Sequence, residues 1–138
     1  MAMKVFGGAA FAVLAIFTAS PSLAQNDPSV NCKDPGTTYE INVCAGRDFT
    51  KADFELNALY YQLYGKYDAV NRQMLQAAQR TWIRFRDVEC AYETQLTAGG
   101  TIHPTMVTNC MTELTSDRIK RLKAQADCQE GDMSCNHP

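Results

Sequence analysis

The sequence predicts an all-α fold: a small antiparallel three-helix bundle stapled by disulfides, following a cleaved signal peptide. Three observations predict it. Apolar residues recur at three- and four-residue steps in three separate stretches, helix-start and helix-stop residues punctuate those stretches, and all six cysteines lie downstream of an export leader. No alternating β pattern of useful length, internal repeat or low-complexity segment competes with this reading.

The leader is residues 1–24, in which Lys4 precedes the apolar run "VFGGAAFAVLAIF" and Ser22, Leu23 and Ala24 form a small-residue cleavage site. The run falls short of the ~20 residues that a membrane span needs, and Pro21 would break a continuing helix. The mature chain then starts near Gln25. No cysteine follows the cleavage site directly, so no lipid anchor is expected and the product is periplasmic or secreted.

Subtracting 24 leader residues from 138 leaves 114, enough for one domain with a modest core. The expected organisation is a helical domain over 25–127 and a tail over 128–138. Without Lys4 the balance is 12 basic against 15 acidic residues, a net −3, which offers no basic footprint for nucleic acid.

Helix A begins after Thr37, since Thr37 and Glu40 form a TxxE capping box. Ile41, Ala45, Phe49, Ala52, Leu56, Leu59, Tyr60, Leu63 and Tyr67 carry it to about Lys66, before the turn "YDAVN". Asn71 is placed to cap helix B. Its seam is Leu75, Ala78, Trp82, Phe85, Glu89, Tyr92 and Leu96, and it should stop at Gly99 and Gly100. Thr105 is then the cap of helix C, which runs through Val107, Cys110, Met111, Leu114, Arg118 and Leu122 to about Ala126.

Folding helix B back on helix A brings Phe49 opposite Cys90 and Asp53 opposite Arg86, and folding helix C back on helix B brings Cys90 level with Cys110. A Cys90–Cys110 bridge follows. Cys44 lies at the same end, within reach of Cys32, and Cys128 and Cys135 can close a short tail ring. If the tail pair is granted, the other four cysteines still allow three connectivities. Each bridge contributes about 2–4 kcal/mol. Metal binding is the competing reading of the cysteines, but there is no close CxxC pair and neither His103 nor His137 sits at ligand spacing from another histidine. No metal or cofactor is expected.

The charged residues of "QRTWIRFRDVECAYE" read as internal bracing. Arg86 pairs with Asp53, Asp87 can meet Arg118, Arg118 can stack on Trp82, and the amides of Asn57 and Gln79 lie on the inward stripes as register pins. Nothing supplies a nucleophile with its base or a carboxylate pair in a cleft, so no catalytic residue is assigned.

The stretches "CKDPGTTYEINVCA", "DFELNALYYQL", "LQAAQRTWIRFRDVEC" and "GGTIHPTMVTNCMTELTSDRIKRL" resemble the LprI-type lysozyme inhibitor family of exported bacterial proteins, over nearly the whole mature chain. The family pattern falls on Cys32, Cys44, Asp53, Leu56, Asn57, Tyr60, Gln79, Trp82, Arg86, Asp87, Cys90, Gly100, Cys110, Thr115, Arg118 and Leu122. The chain departs from an anchored member in lacking the lipid-acceptor cysteine, and Cys128 and Cys135 fall outside the family core.

The resemblance implies a protein that binds a lysozyme, of the c type in the first reading, and protects peptidoglycan without catalysis. Blocking a cleft needs a rigid loop, and the candidate is "AGGTIHPT", with Gly99 and Gly100 shaping it and Thr101 and His103 making contact. The same loop also reads as a plain helix connection. The alternative is an envelope structural or adaptor domain that binds another exported protein through "YYQLYGKY", whose Tyr61 and Tyr64 cannot both face the core.

Overall fold

The computed structural model describes residues 27–129 and 131–135; the expected leader, its cleavage site and His137 lie outside them. Within the described residues the architecture is three helices: α1 (Thr38–Lys66), α2 (Ala69–Glu93) and α3 (His103–Ala126), with a 3-10 turn over Gln95–Thr97. No strand occurs among these residues.

The capping box at Thr37 forms as expected, with the Glu40 amide donating to Thr37 Oγ1 at 3.2 Å and the Thr37 amide donating to Glu40 Oε2 at 2.9 Å. The start of α2 differs. Asp68 is its N-cap, accepting from the Asn71 amide at 2.7 Å, so Asn71 is inside the first turn. The carboxylate three residues earlier reaches that amide first. The end of α2 also differs, because the helix stops at Glu93 rather than at the glycines. Thr94 bonds back to the Cys90 carbonyl through its hydroxyl at 2.7 Å and its amide at 3.2 Å, and the chain tightens into the 3-10 turn. Gly99, at φ 81°, then serves the loop, where a side chain would be strained. Finally, α3 starts at His103 with Pro104 in its first turn, and Thr105 is buried inside it with its hydroxyl donating to Asn42.

The helices run up, down and up. Asn42 bonds Thr105 and Glu55 holds Lys123 at 2.6 Å, so α1 and α3 are parallel, while Cys90–Cys110 and Arg86–Asp53 make α2 antiparallel to both. Most of the close backbone approach is between α1 and α3. Small buried residues permit it: Ala45, Gly46 and Ala52 on α1, Thr105 and Thr115 on α3. The apolar core gathers Ala52, Leu56, Leu63, Tyr67, Ile119 and Leu122, with Leu59, Tyr60, Leu75, Trp82 and Ala126 packed against it. Full burial of Leu56 and of Leu63 stabilises by roughly 1.5–3 kcal/mol each.

The largest correction concerns the face of α2. Of the expected seam, Leu75 and Trp82 point inward, but Phe85, Tyr92 and Leu96 are exposed. The buried positions are Gln79, Arg86 and Cys90. The helix is rotated because its polar inward residues find partners. Arg86, with 8% of its side chain exposed, lies 5.2 Å from the Phe49 ring centre and 5.3 Å from that of Trp82. Arg118 stacks on Trp82 from α3 at 5.8 Å and donates from Nε to Gln79 Oε1 at 3.2 Å. A stack of Phe49, Arg86, Trp82 and Arg118 thus fills the space that larger aliphatic side chains would otherwise take.

All six cysteines are paired: Cys32–Cys44, Cys90–Cys110 and Cys128–Cys135. The entry segment is further tied by Arg47, which donates to the carbonyls of Val30, at 2.9 Å, and Asp27.

Candidate functional site

The loop end of the bundle is built from short-range bonds. Turn bonds join Thr97 to Thr94, Ala98 to Gln95, Gly100 to Thr97 and His103 to Gly100, all between 3.0 and 3.2 Å. Asn42 of α1 donates to the Thr101 carbonyl at 3.1 Å and accepts from Thr105, which fixes the loop to the neighbouring helix. His103 is half-buried with Nδ1 at 2.9 Å from Thr97 Oγ1, so its ring is held and does not reach out freely. A Cβ on Gly100 would stand 3.2 Å from the Thr97 carbonyl oxygen, so the tight turn favours glycine there.

Thr101 is exposed beside Ile102 and Met106, and Leu96 is completely exposed at 101%. Periodicity alone puts Leu96 on the core seam. The signal that places it outside is Thr94, whose hydroxyl competes for the helix carbonyls and ends α2 early.

The tyrosine face is divided. Tyr67 is buried in the core and Tyr60 packs against it; burial raises the pKa of both phenols. Tyr64 lies under the Arg72 guanidinium at 5.4 Å, and Arg72 Nε donates to the Tyr64 carbonyl at 2.8 Å. Tyr61 is exposed, 5.4 Å from the Tyr60 ring, and Phe54, two helical turns earlier on the same face of α1, is exposed as well.

Among the residues expected to brace the interior, Arg86 places Nη1 3.7 Å from Asp53 Oδ1, with Nε and Nη2 donating to Asp87 Oδ1 at 3.0 and 2.9 Å. Asp87 therefore meets Arg86 and makes no pair with Arg118. Asn57 is exposed and donates to Asp53 at 2.9 Å, so it is not an inward pin. Burial, and to a lesser degree the charge of Arg121, lower the pKa of Arg118 from the ordinary arginine value. Among the described residues, no group of three or more His, Cys, Asp or Glu side chains is placed to hold a metal ion, and no helix is long and apolar enough to cross a membrane.

Comparison with known proteins matches residues 31–122 to the family model described as lysozyme inhibitor LprI. An uncharacterized protein of Rhizobium meliloti (strain 1021) is 30% identical over 124 residues, covering 80% of this chain and 88% of that protein. No solved structure matches. The matched span runs from the entry segment to Leu122 of α3 and takes in the buried stack, two of the bridges and the whole loop end, so the chain belongs to the LprI family of lysozyme inhibitors.

Proposed function

We propose that this chain is an exported, non-catalytic inhibitor that binds a c-type lysozyme in the periplasm or outside the cell and so protects peptidoglycan. Residues 1–24 are the signal that exports it, and no lipid holds it at the membrane. The observation that carries the reading, beside family membership, is the loop end: Thr101, Leu96, Ile102 and Met106 are exposed on a turn that disulfide, backbone and Asn42 bonds hold still. A binding loop held in one shape loses little freedom on docking, so more of its contact energy appears as affinity. Gly99 and Gly100 shape this surface, Thr101 touches the enzyme, and His103 supports the turn through Thr97. A net −3 for the mature chain favours approach to a basic enzyme.

The test is a lysis assay with c-type, g-type and i-type lysozymes at equimolar protein and at tenfold excess. The c-type enzyme is expected to be slowed, and no effect on it overturns the proposal. Leu96→Asp and Thr101→Ala should weaken inhibition with unchanged melting. A second reading rests on the exposed pair Phe54 and Tyr61, which suits an adaptor that binds another envelope protein. It gains ground if lysozyme is not inhibited and Tyr61→Ser releases a co-purifying exported protein.

A further inference from the structure

The flank of α2 that borders the groove with α3 carries Met74, Ala78, Thr81, Phe85, Val88 and Tyr92 at steps of four, three, four, three and four, and every one of them is exposed. That spacing is the heptad seam by which one helix packs along another. The inward stripe of the same helix, with Gln79 and Arg86, is the more polar of the two. Phe85 is 51% exposed, Val88 62% and Tyr92 76%, and with Val70 and Met74 the stripe presents apolar surface on the order of 500 Å², near the upper end for the largest patch on a monomer. It supplies most of the roughly 800 Å² that one partner contributes to a standard interface.

We propose that this stripe is a self-association seam, on which α2 of a second copy packs antiparallel about a two-fold axis. The proposal goes beyond the inhibitor reading and does not depend on it. The antiparallel register that overlaps the two stripes fully sets smaller side chains against larger ones at the centre, Ala78 opposite Val88 and Thr81 opposite Phe85, with Met74 opposite Tyr92 at either end. Each pair occurs twice, as two-fold symmetry requires.

The same register produces charge complementarity on the flank that faces α3. Glu89 of the second copy comes to the height of Ala77 along the helix, on the flank of Leu75 and Trp82 that borders α3. On α3, Arg118 reaches Gln79 and Cys110 is bonded to Cys90, so Arg121 also stands level with Ala77. Arg121 is exposed and lines the α2–α3 groove beside Trp82 and Phe85. Two Glu89–Arg121 pairs therefore close across the dimer, and both loop ends stay free at opposite extremes of it.

Sedimentation of the disulfide-bonded protein from micromolar to several hundred micromolar tests this, with circular dichroism and melting as controls on folding. A concentration-dependent dimer is expected. Val88→Glu, at an exposed position that should not disturb the fold, is expected to weaken the dimer at least tenfold. Glu89→Arg and Arg121→Glu should each weaken it, and the double variant should recover it. A monomer at every concentration, a dimer indifferent to Val88→Glu, or singles that are not rescued in the double variant overturns the proposal. So does a monomer whose Val88→Glu variant loses lysozyme inhibition, which would assign the stripe to the enzyme.

Discussion

The two ends of this bundle are ordered by different means. At the end near the α1–α2 turn, Leu56, Leu63, Tyr67, Ile119 and Leu122 form a dry cluster, whereas the loop end holds two bridges and a set of polar bonds centred on Asn42, Thr94, Thr105 and Thr97. Apolar burial is non-directional and tolerates adjustment, while bonds with fixed geometry hold a surface in one shape. The difference teaches where a small domain can place a binding surface: at the end whose order does not require its own apolar residues to be hidden.

The comparison breaks most visibly at the dry end. Leu56→Ala should lower stability by about 2–5 kcal/mol in denaturant titration, with the loop bonds intact until global unfolding. A loss under about 1 kcal/mol would mean that the cluster does not carry this end. Removing the Cys90–Cys110 bridge as a double serine variant should cost about 3 kcal/mol, since it closes a loop of sequence separation 20. Hydrogen exchange should then rise first at Thr97 to Thr105, and uniform exchange would contradict the division.

Arg86 sharpens the contrast between charge and shape. Its Nη1 is buried without a hydrogen-bond partner, and Asp53 keeps 41% of its side chain exposed, so water can still serve the carboxylate when the arginine is lost. Arg86→Ala should therefore lower stability by about 1–3 kcal/mol, mainly by opening the space between Phe49 and Trp82. Arg86→Met fills that space without the orphaned donor and should recover most of the loss. If Met is as damaging as Ala, the ion pair matters more than the stack.

Thr101→Ala should stay within about 0.5 kcal/mol of the parent, because its side chain is exposed and its bond to Asn42 uses the backbone. The smallest effect concerns the entry segment. Hydrogen bonds from the Ser29 hydroxyl and amide, and then from Tyr39, hold the Asp27 carboxyl below its ordinary 3.8. A depressed pKa adds stability that is present above the unfolded value and lost as pH falls through the folded one. The Ser29 amide should keep its protection until the pH drops below 3.8, with the helices unaffected.

Helix α1, the Cys90–Cys110 bridge and the Trp82–Arg118 contact were legible because each rests on near-neighbour spacing or on hairpin register, whereas spacing left the partners of the remaining cysteines open until the structure joined Cys32 to Cys44 and Cys128 to Cys135. The phase of α2 was not. Its apolar residues fit a stripe through Phe85 and Tyr92 better than the buried stripe through Gln79 and Arg86, and only contact with Phe49 and Trp82 makes the polar choice favourable. The exposure of Leu96 was hidden for a related reason: a threonine hydroxyl outweighed the glycines as the stop signal. The proposed inhibitor contacts in the loop have no pattern of their own in one sequence, since an exposed side chain such as Thr101 is not constrained by the fold.

The bridges also bear on how the molecule is made. Cys32 joins Cys44, Cys90 joins Cys110 and Cys128 joins Cys135, so each cysteine pairs with the next one along the chain and no bridge spans another. Of the fifteen ways to join six cysteines, this is the one reached by an oxidant that links thiols in chain order, the order in which they would emerge if the chain is exported as proposed above. Biogenesis on that route proceeds without disulfide reshuffling, and an oxidase alone, with no isomerase, should be enough for full yield.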